Sequence, residues 1–440
     1  MADILPIRAW RYNESKFNDL EELTAPLFDV VSNTQREQLY KNPFNSIHLS
    51  VPLGPDPIAN AQKKLEEWKN NEIIKLDTIP GIYVYYQYFK LHGEKKEYVR
   101  KGFICNIRVH DWDDKEKINS NDAILRHENT IPNAVNDRIE LLQATQIQAS
   151  PTHGLYSDKE HQLENLMDEA IKHPIAITED YQGVKDVLGV IHDYELIKKF
   201  IKVIKDRSII LADGHHRYEG ALSYFKKMKS DNPNHTGNEP YNFHMMYLTN
   251  IESDDLRILP THRLINGIEN FDIDEILKRT AEWFTIKPVD NPFDIGEVIL
   301  GKPWAFGLVF KDQTYKIRLK PEMIDQISWN FPDIIKKLDL TVLHYYFIEK
   351  VLGIPGRDQR KSSEISFERN FTSCINSVVT EKSQCALITQ ELSVEDVKNV
   401  CYSGYTLPQK STYFYPKTIS GFLFGSLKED EFYTTPHISF

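Results

Sequence analysis

From Ser208 to Lys229 the chain passes from a short apolar run, through a turn packed with ionisable groups, into an amphipathic stretch. Ile209, Ile210, Leu211 and Ala212 read as a strand, while Tyr218, Ala221, Leu222, Phe225 and Met228 recur at helical spacing behind it. The turn is Asp213-Gly214-His215-His216-Arg217. A strand that delivers the chain directly into a helix leaves the first helical N–H groups unpaired, and the helix dipole adds partial positive charge there. Such an end attracts phosphate. Gly214 permits a left-handed or close backbone, Arg217 offers a planar fork of donors, and His215 and His216 can donate, accept or ligate near neutral pH. Asp213 is placed to hold a histidine or a metal-bound water. The competing reading is a surface turn in which Asp213 caps the helix and the other groups pair with carboxylates.

With 440 residues the chain is long enough for two or three domains, and 41% hydrophobic content with 11% aromatics supplies the cores. A net charge of −11 has the wrong sign for a protein whose main partner is a nucleic-acid backbone, although a local basic patch can still take a nucleotide. No stretch approaches the roughly 18 apolar residues of a membrane span, and the first residues lack the pattern of a secretion signal. A cytoplasmic protein without a membrane partner is the expectation. Cys105, Cys374, Cys385 and Cys401 are widely spaced and form no CxxC pair, so buried free thiols are expected.

Ile58, Ala61, Leu65 and Trp68 step by three and four, which predicts a helix from Pro57 to Asn70. Ile82 to Leu91 and Tyr98 to Val109 read as an antiparallel hairpin. Ile139, Leu142 and Thr145 give a further helical stripe. Tyr241 to Leu248 and Leu256 to Leu264 read as strands, and a boundary falls near Gly267. Beyond it, a helix over Ile276 to Phe284, strands Trp304 to Phe310 and Thr314 to Leu319, and a helix from Leu343 to Val351 stopped by Gly353 are expected. Ser393 with Asp396 is a capping-box signature, closed by Gly404. This divides the chain into an α+β portion over residues 1–265, carrying the DGHHR turn, and an α+β portion over 266–440.

The second portion carries Lys410-Ser411-Thr412, a cation beside two hydroxyls suited to phosphate or metal-bound phosphate. The glycine frame of a P-loop is absent. Two further histidine-bearing turns, Arg126-His127-Glu128-Asn129-Thr130 and Thr261-His262-Arg263, pair His with charge. HExxH, GxSxG and GxGxxG are all missing, which argues against a zinc hydrolase, a serine hydrolase and a Rossmann dinucleotide site. Phosphate handling remains, with carboxylates to position a divalent cation or to act as base: phosphoryl transfer, or nucleotide binding without chemistry.

ADGHHRYEGAL, APLFDVVS (Ala25 to Ser32), RHENT, ILPTHRL (Ile258 to Leu264) and PQKSTYFYPK (Pro408 to Lys417) resemble, in order, motifs of the DUF1015 family of bacterial proteins. The resemblance spans nearly the whole chain. Leu27-Phe28 stands where the family commonly has Pro-Tyr. The DGHHR turn also resembles the phosphate-binding turn of the ParB and sulfiredoxin superfamily, which includes free-serine kinases. This implies an α+β fold with a ParB/sulfiredoxin-like nucleotide-binding core. It also implies an enzyme moving a phosphoryl group to or from a small hydroxyl metabolite, serine and O-phosphoserine first, in the kinase or phosphatase direction. In that reading Gly214, His215, His216 and Arg217 hold phosphate, Asp213 orients a histidine or Mg²⁺, and Lys410, Ser411 and Thr412 close over the phosphate. His127, His262 and Arg263 add further phosphate contacts, and Asp29 and Glu128 are the candidate bases. ATP or ADP with Mg²⁺ are the implied cofactors, with the metal ligands open, and the expected partner is a phosphorylated small molecule or nucleotide. A homo-oligomer is left open. The alternatives are a non-catalytic nucleotide-binding regulator and, against the charge balance, a ParB-like nucleic-acid binder.

Overall fold

A computed structural model describes every residue except Met1, Asp29, 92–93, 113–122, Asn129, Ile131, 408–409 and 434–440, with backbone alone at 132–134. The chain is mixed α and β, built on two large sheets with a four-stranded and two two-stranded sheets beside them. In the first the strand order is Ala176–Glu179, Lys185–Ile191, Ile82–Lys90, Glu97–Arg108, Phe243–Asn250, Thr152–Tyr156, Ile209–Asp213 and Ile124–Arg126, with Ile4–Leu5 also pairing on Glu97–Arg108. Most neighbours are antiparallel. Phe243–Asn250 runs parallel to Thr152–Tyr156, and Ile209–Asp213 runs parallel to Ile124–Arg126.

The two faces of this sheet differ. Val84, Tyr86, Phe103, Cys105, Met246, Leu248, Ile209 and Leu211 form an apolar face packed with Ile197, Phe200 and Ile204 of helix Tyr194–Lys205 and with Tyr218 and Leu222 of helix His215–Asp231. The opposite face is covered by residues from the far end of the chain. Ile419, Phe422 and Leu423 pack on Tyr83, Tyr85, Ile104 and Tyr247, while Phe414, Val397 and Cys401 pack on Leu155, Ile210 and Ala212. Tyr413–Tyr415 is fixed there by pairing with Arg257–Leu259.

The second sheet has the order Phe284–Pro288, Thr314–Leu319, Ala305–Val309, Cys385–Ile388, His262–Ile265 and Ile365–Glu368. Phe306, Leu308, Ile317 and Leu387 face Tyr346, Phe347 and Val351 on one side, and Ala305, Val309 and Ile388 face Ile295, Ile299 and Ile375 on the other.

Local chemistry accounts for most element boundaries. Helix Pro57–Asn70 begins on Asp56, whose carboxylate accepts from Ala59 N at 3.0 Å, with Pro57 in the first turn, and it buries Ala61, Leu65 and Trp68. Ser393 and Asp396 form the expected capping box, and Gly404 ends that helix with φ 79°. All four cysteines are buried and free. One expectation changes. The stretch Leu256–Leu264 is not one strand: Pro260, which has no N–H to donate, separates Arg257–Leu259 from His262–Ile265, and the two pieces join different sheets. The helix expected over Leu343–Val351 is present and takes π geometry, with Leu352 N bonded to Phe347 O at 2.9 Å.

Candidate functional site

Strand Ile209–Asp213 opposes Thr152–Tyr156 with Leu211 facing Gly154 and Asp213 facing His153, so two steps on one strand meet one on the other. This bulge re-aims Asp213 onto the face that carries His153, away from the side taken by Leu211. Gly214 follows with φ 87°, and a Cβ there would lie 2.7 Å from Thr152 Cγ2 and 2.9 Å from Arg217 Nη2. Only glycine fits both the dihedral and the space. Helix His215–Asp231 then starts with Tyr218 N bonded to Gly214 O at 2.9 Å, and no side chain caps its first turn. Asp213 is therefore not a helix cap.

Asp213 is instead shared by two cations. Its Oδ2 accepts from Arg217 Nη2 at 3.0 Å, and its Oδ1 accepts from Lys417 Nζ. Burial pushes the Asp213 pKa up, but Lys417 and Arg217 outweigh it and hold the carboxyl well below its usual range. Arg217 Nη1 also donates to Ser150 Oγ at 3.1 Å and to Pro151 O at 2.5 Å. A buried polar row crosses the sheet from this point. His153 Nε2 lies 2.8 Å from Thr249 Oγ1 and its ring stacks on Tyr247 at 5.2 Å. Arg100 lies 5.5 Å from the Tyr247 ring and donates to Gln87 Oε1. Gln87 Nε2 donates to Asp186 Oδ1 at 2.8 Å and to Lys417 O at 3.0 Å, and Tyr85 donates to the same Oδ1 at 2.6 Å. Burial raises Asp186 to about 7, against the hydrogen bonds from Tyr85 and Gln87. Arg100, Arg217 and Lys417 thus meet three carboxyl groups, Asp213, Asp186 and, beside Lys417, Glu128, and burial raises the last two.

The segment after Lys410 is fastened to the same region. Glu128 Oε1 accepts from Ser411 N at 3.1 Å, Thr412 N at 3.2 Å and Thr412 Oγ1 at 3.1 Å, and Leu407 N donates to His127 O at 2.7 Å. His127 Nε2 lies 2.7 Å from Thr412 Oγ1, and the His127 ring meets the His215 ring edge-on at 4.9 Å. Burial lowers His127 to about 4 and holds His215 well below its ordinary value, so both imidazoles are neutral at physiological pH. Burial raises the Glu128 carboxyl, opposed first by the Thr412 N–H and then by Lys417.

The folded chain therefore brings Asp213, Gly214, His215, Arg217, His127, Glu128, Ser411 and Thr412 together, with His216 half-buried in the first helical turn. Asp29 lies outside the described residues, as do residues 408–409. Lys410 Nζ sits 5.9 Å from the Phe367 ring, on the second sheet. Arg263 is fully buried over the same ring at 5.4 Å, donating from Nε to His344 Nε2 at 3.3 Å and from Nη1 to Thr261 O; burial lowers it to about 10, with Glu128 the opposing charge. His262 Nδ1 accepts from Thr389 N at 3.2 Å, its ring packs on Phe371, and burial lowers it to about 4, so its contacts lie within the second sheet's part of the molecule. Lys417, His153, Arg100 and Asp186 were not singled out from sequence. Lys417 ends the PQKSTYFYPK run, but no spacing rule distinguishes it from other lysines; His153 sits on a strand buried on both faces, where alternation carries no signal, and Arg100 and Asp186 are charged residues at inward positions.

Among the described residues no group of three His, Cys, Asp or Glu is arranged to hold a metal, and no helix is long and apolar enough to cross a membrane. The description "Protein of unknown function (DUF1015)" matches residues 4–341, and the chain belongs to that family. A search of curated proteins gave no match. Among solved structures, similar chains include a conserved hypothetical protein from Pyrococcus furiosus (14% identity, 70% of this chain and 94% of that one, TM-score 0.35). A free serine kinase in complex with AMP is similar at 13% identity over 70% and 90% of the two chains, TM-score 0.34. SbnI with a C-terminal truncation from Staphylococcus aureus is similar at 14% identity over 70% and 87%, TM-score 0.35.

Proposed function

We propose that the start of helix His215–Asp231 binds a phosphate group of a nucleotide and that the protein transfers a phosphoryl group to a small hydroxyl compound. The observation that carries this is a helix N-terminus without a side-chain cap beside two half-buried cations, Arg217 and Lys417, that share a single carboxylate. A phosphate there meets helix N–H groups, the dipole and two charges at once. In the reaction the acceptor oxygen bonds to phosphorus, the bond from phosphorus to the donor's bridging oxygen breaks, and the hydroxyl proton passes to a carboxylate. Asp29 and Glu128 are the candidates for that base; Glu128 is the one that also anchors Ser411 and Thr412. ATP or ADP is the donor in this reading. Among the described residues no carboxylates are grouped to hold a metal, so Mg²⁺ would come on the nucleotide's own phosphates and offset their charge.

The sequence resemblance of the DGHHR turn to that of free-serine kinases makes serine the first acceptor to test. Purified protein with ATP or ADP, Mg²⁺ and serine is expected to form O-phosphoserine, or to release phosphate from O-phosphoserine. Neither reaction, in any donor combination, rejects serine as the substrate. Replacing His216 or Arg217 by alanine is expected to abolish the activity while the protein stays folded by circular dichroism. Collapse of the fold in both variants would instead make these residues structural. Nucleotide binding without turnover would leave a regulatory protein.

A further inference from the structure

Glu128 Oε1 accepts from the N–H groups of Ser411 at 3.1 Å and Thr412 at 3.2 Å, and these two bonds already fasten the backbone of the segment. The same oxygen also accepts from the Thr412 hydroxyl at 3.1 Å, and His127 Nε2 lies 2.7 Å from that hydroxyl oxygen. An ionised carboxylate can only accept, so the Thr412 proton points at Glu128 and His127 is the donor of the second bond. A hydroxyl oxygen has two lone pairs. One takes the His127 N–H and the other is left for an electrophile.

This is the arrangement of an activated hydroxyl: nucleophile and base within hydrogen-bond reach, with the base held in place by further groups. Burial raises the Glu128 carboxyl, so a proton that reaches it is held more tightly than by a solvated carboxylate. Thr412 is half-buried, whereas its neighbour Ser411 is buried and meets Glu128 through its N–H. The hydroxyl also stands next to the phosphate site. His127 connects the two, with Nε2 on Thr412 and its ring edge-on at 4.9 Å to the ring of His215, the first residue of helix His215–Asp231. Lys417 Nζ lies 4.9 Å from the ring of Tyr413, the residue after Thr412. A phosphoryl group held at the helix start therefore has this hydroxyl and its base one imidazole away.

We propose that Thr412 is itself a phosphoryl acceptor: without an external hydroxyl compound, the protein moves the terminal phosphoryl group of its bound nucleotide onto Thr412 Oγ1. The bond from Oγ1 to phosphorus forms, the bond from that phosphorus to the bridging oxygen breaks, and the nucleotide leaves one phosphate shorter. The hydroxyl proton passes to Glu128 Oε1. This rests on the phosphoryl-transfer reading and adds a modification site to it. Thr412 takes at Glu128 the place that the hydroxyl of a small acceptor would take.

The test is intact-mass spectrometry with peptide mapping of the full-length protein after incubation with Mg²⁺ and ATP, or Mg²⁺ and ADP, and no added acceptor. Calorimetric titration of ADP runs beside it. Wild type is expected to gain the mass of one phosphoryl group, mapped to Thr412, at a rate unchanged when the protein is diluted. Thr412→Val, which keeps the shape and removes the hydroxyl, is expected to lose the label entirely. Glu128→Gln keeps an oxygen for the two N–H groups but is a far weaker base, and is expected to take the label at least about a hundredfold more slowly. Should Thr412→Val fail to fold, Glu128→Gln and the mapped position carry the same comparison. Wild type that binds ADP without gaining a label, a label on another residue, or a label that survives in folded Thr412→Val would each overturn the assignment and leave the phosphate site standing. The same holds for labelling of Glu128→Gln at the wild-type rate, or a rate that rises with protein concentration. Absence of ADP binding together with absence of label would remove the underlying reading as well.

Discussion

The two sheets spend their buried surface differently. The six-stranded sheet is apolar on both faces: Phe306, Leu308 and Leu387 on one, Ala305, Val309 and Ile388 on the other, with Arg263 and His262 entering from its His262–Ile265 strand. The nine-stranded sheet is apolar under its helices, but its other face carries Asp186, Gln87, Arg100, His153 and Asp213 beneath the segment from Tyr413 to Leu423. Buried ions seldom stabilise a fold more than well-packed apolar groups would. A row of them is therefore better explained by a ligand than by stability. The second sheet is a scaffold that returns the chain end to the first, and the first builds the site.

The largest effect that tests this contrast is in the scaffold. Phe306→Ala is expected to cost about 3–5 kcal/mol in urea unfolding, with phosphate affinity of the folded protein unchanged. If affinity falls too, the two sheets are not separate in role. Gly214→Ala puts a methyl group into left-handed backbone already crowded by Thr152 and Arg217. We expect about 2 kcal/mol of destabilisation, and loss of phosphate binding out of proportion to it. Wild-type affinity in this variant would detach the turn from the ligand.

A smaller effect reads the polar row itself. Asp186 has its pKa raised to about 7 in the fold, whereas an unfolded aspartate titrates near 3.9. Between those values the folded state holds the extra proton, so this contribution to stability is complete below about pH 4 and is lost as pH rises toward 7. Asp186→Asn keeps an oxygen for Tyr85 and Gln87 and cannot titrate. The stability of wild type minus that of the variant should therefore fall by up to about 1.4 kcal/mol per pH unit across the window. A pH-independent difference in thermal unfolding would show that Asp186 is ionised throughout.

Much of this architecture can be read from the residues. Helical spacing and an Asp cap mark Pro57–Asn70, a capping box marks the helix after Ser393, and the apolar run with glycine at its end marks the strand and turn at Gly214. What escapes is whatever depends on distant partners. Pro260 divides one apolar stretch between two sheets. The π-helix differs from an α-helix only in which carbonyl each N–H chooses. Lys417 matters because it reaches a carboxylate 204 positions earlier in the chain, and His153 because its strand brings it opposite Asp213. Neither is a property of local sequence.

The account stands on phosphate binding at the start of helix His215–Asp231, and calorimetric titration of inorganic phosphate and ADP into wild type and Lys417→Met tests it most directly. Arg217 still accompanies Asp213 in that variant, so it remains folded, at a stability loss of about 2 kcal/mol, below the 3–5 of a fully broken buried pair. One equivalent of phosphate or ADP should bind wild type, and the variant should bind it at least about tenfold more weakly. No binding to wild type, or equal affinity in a folded Lys417→Met protein, would contradict the account.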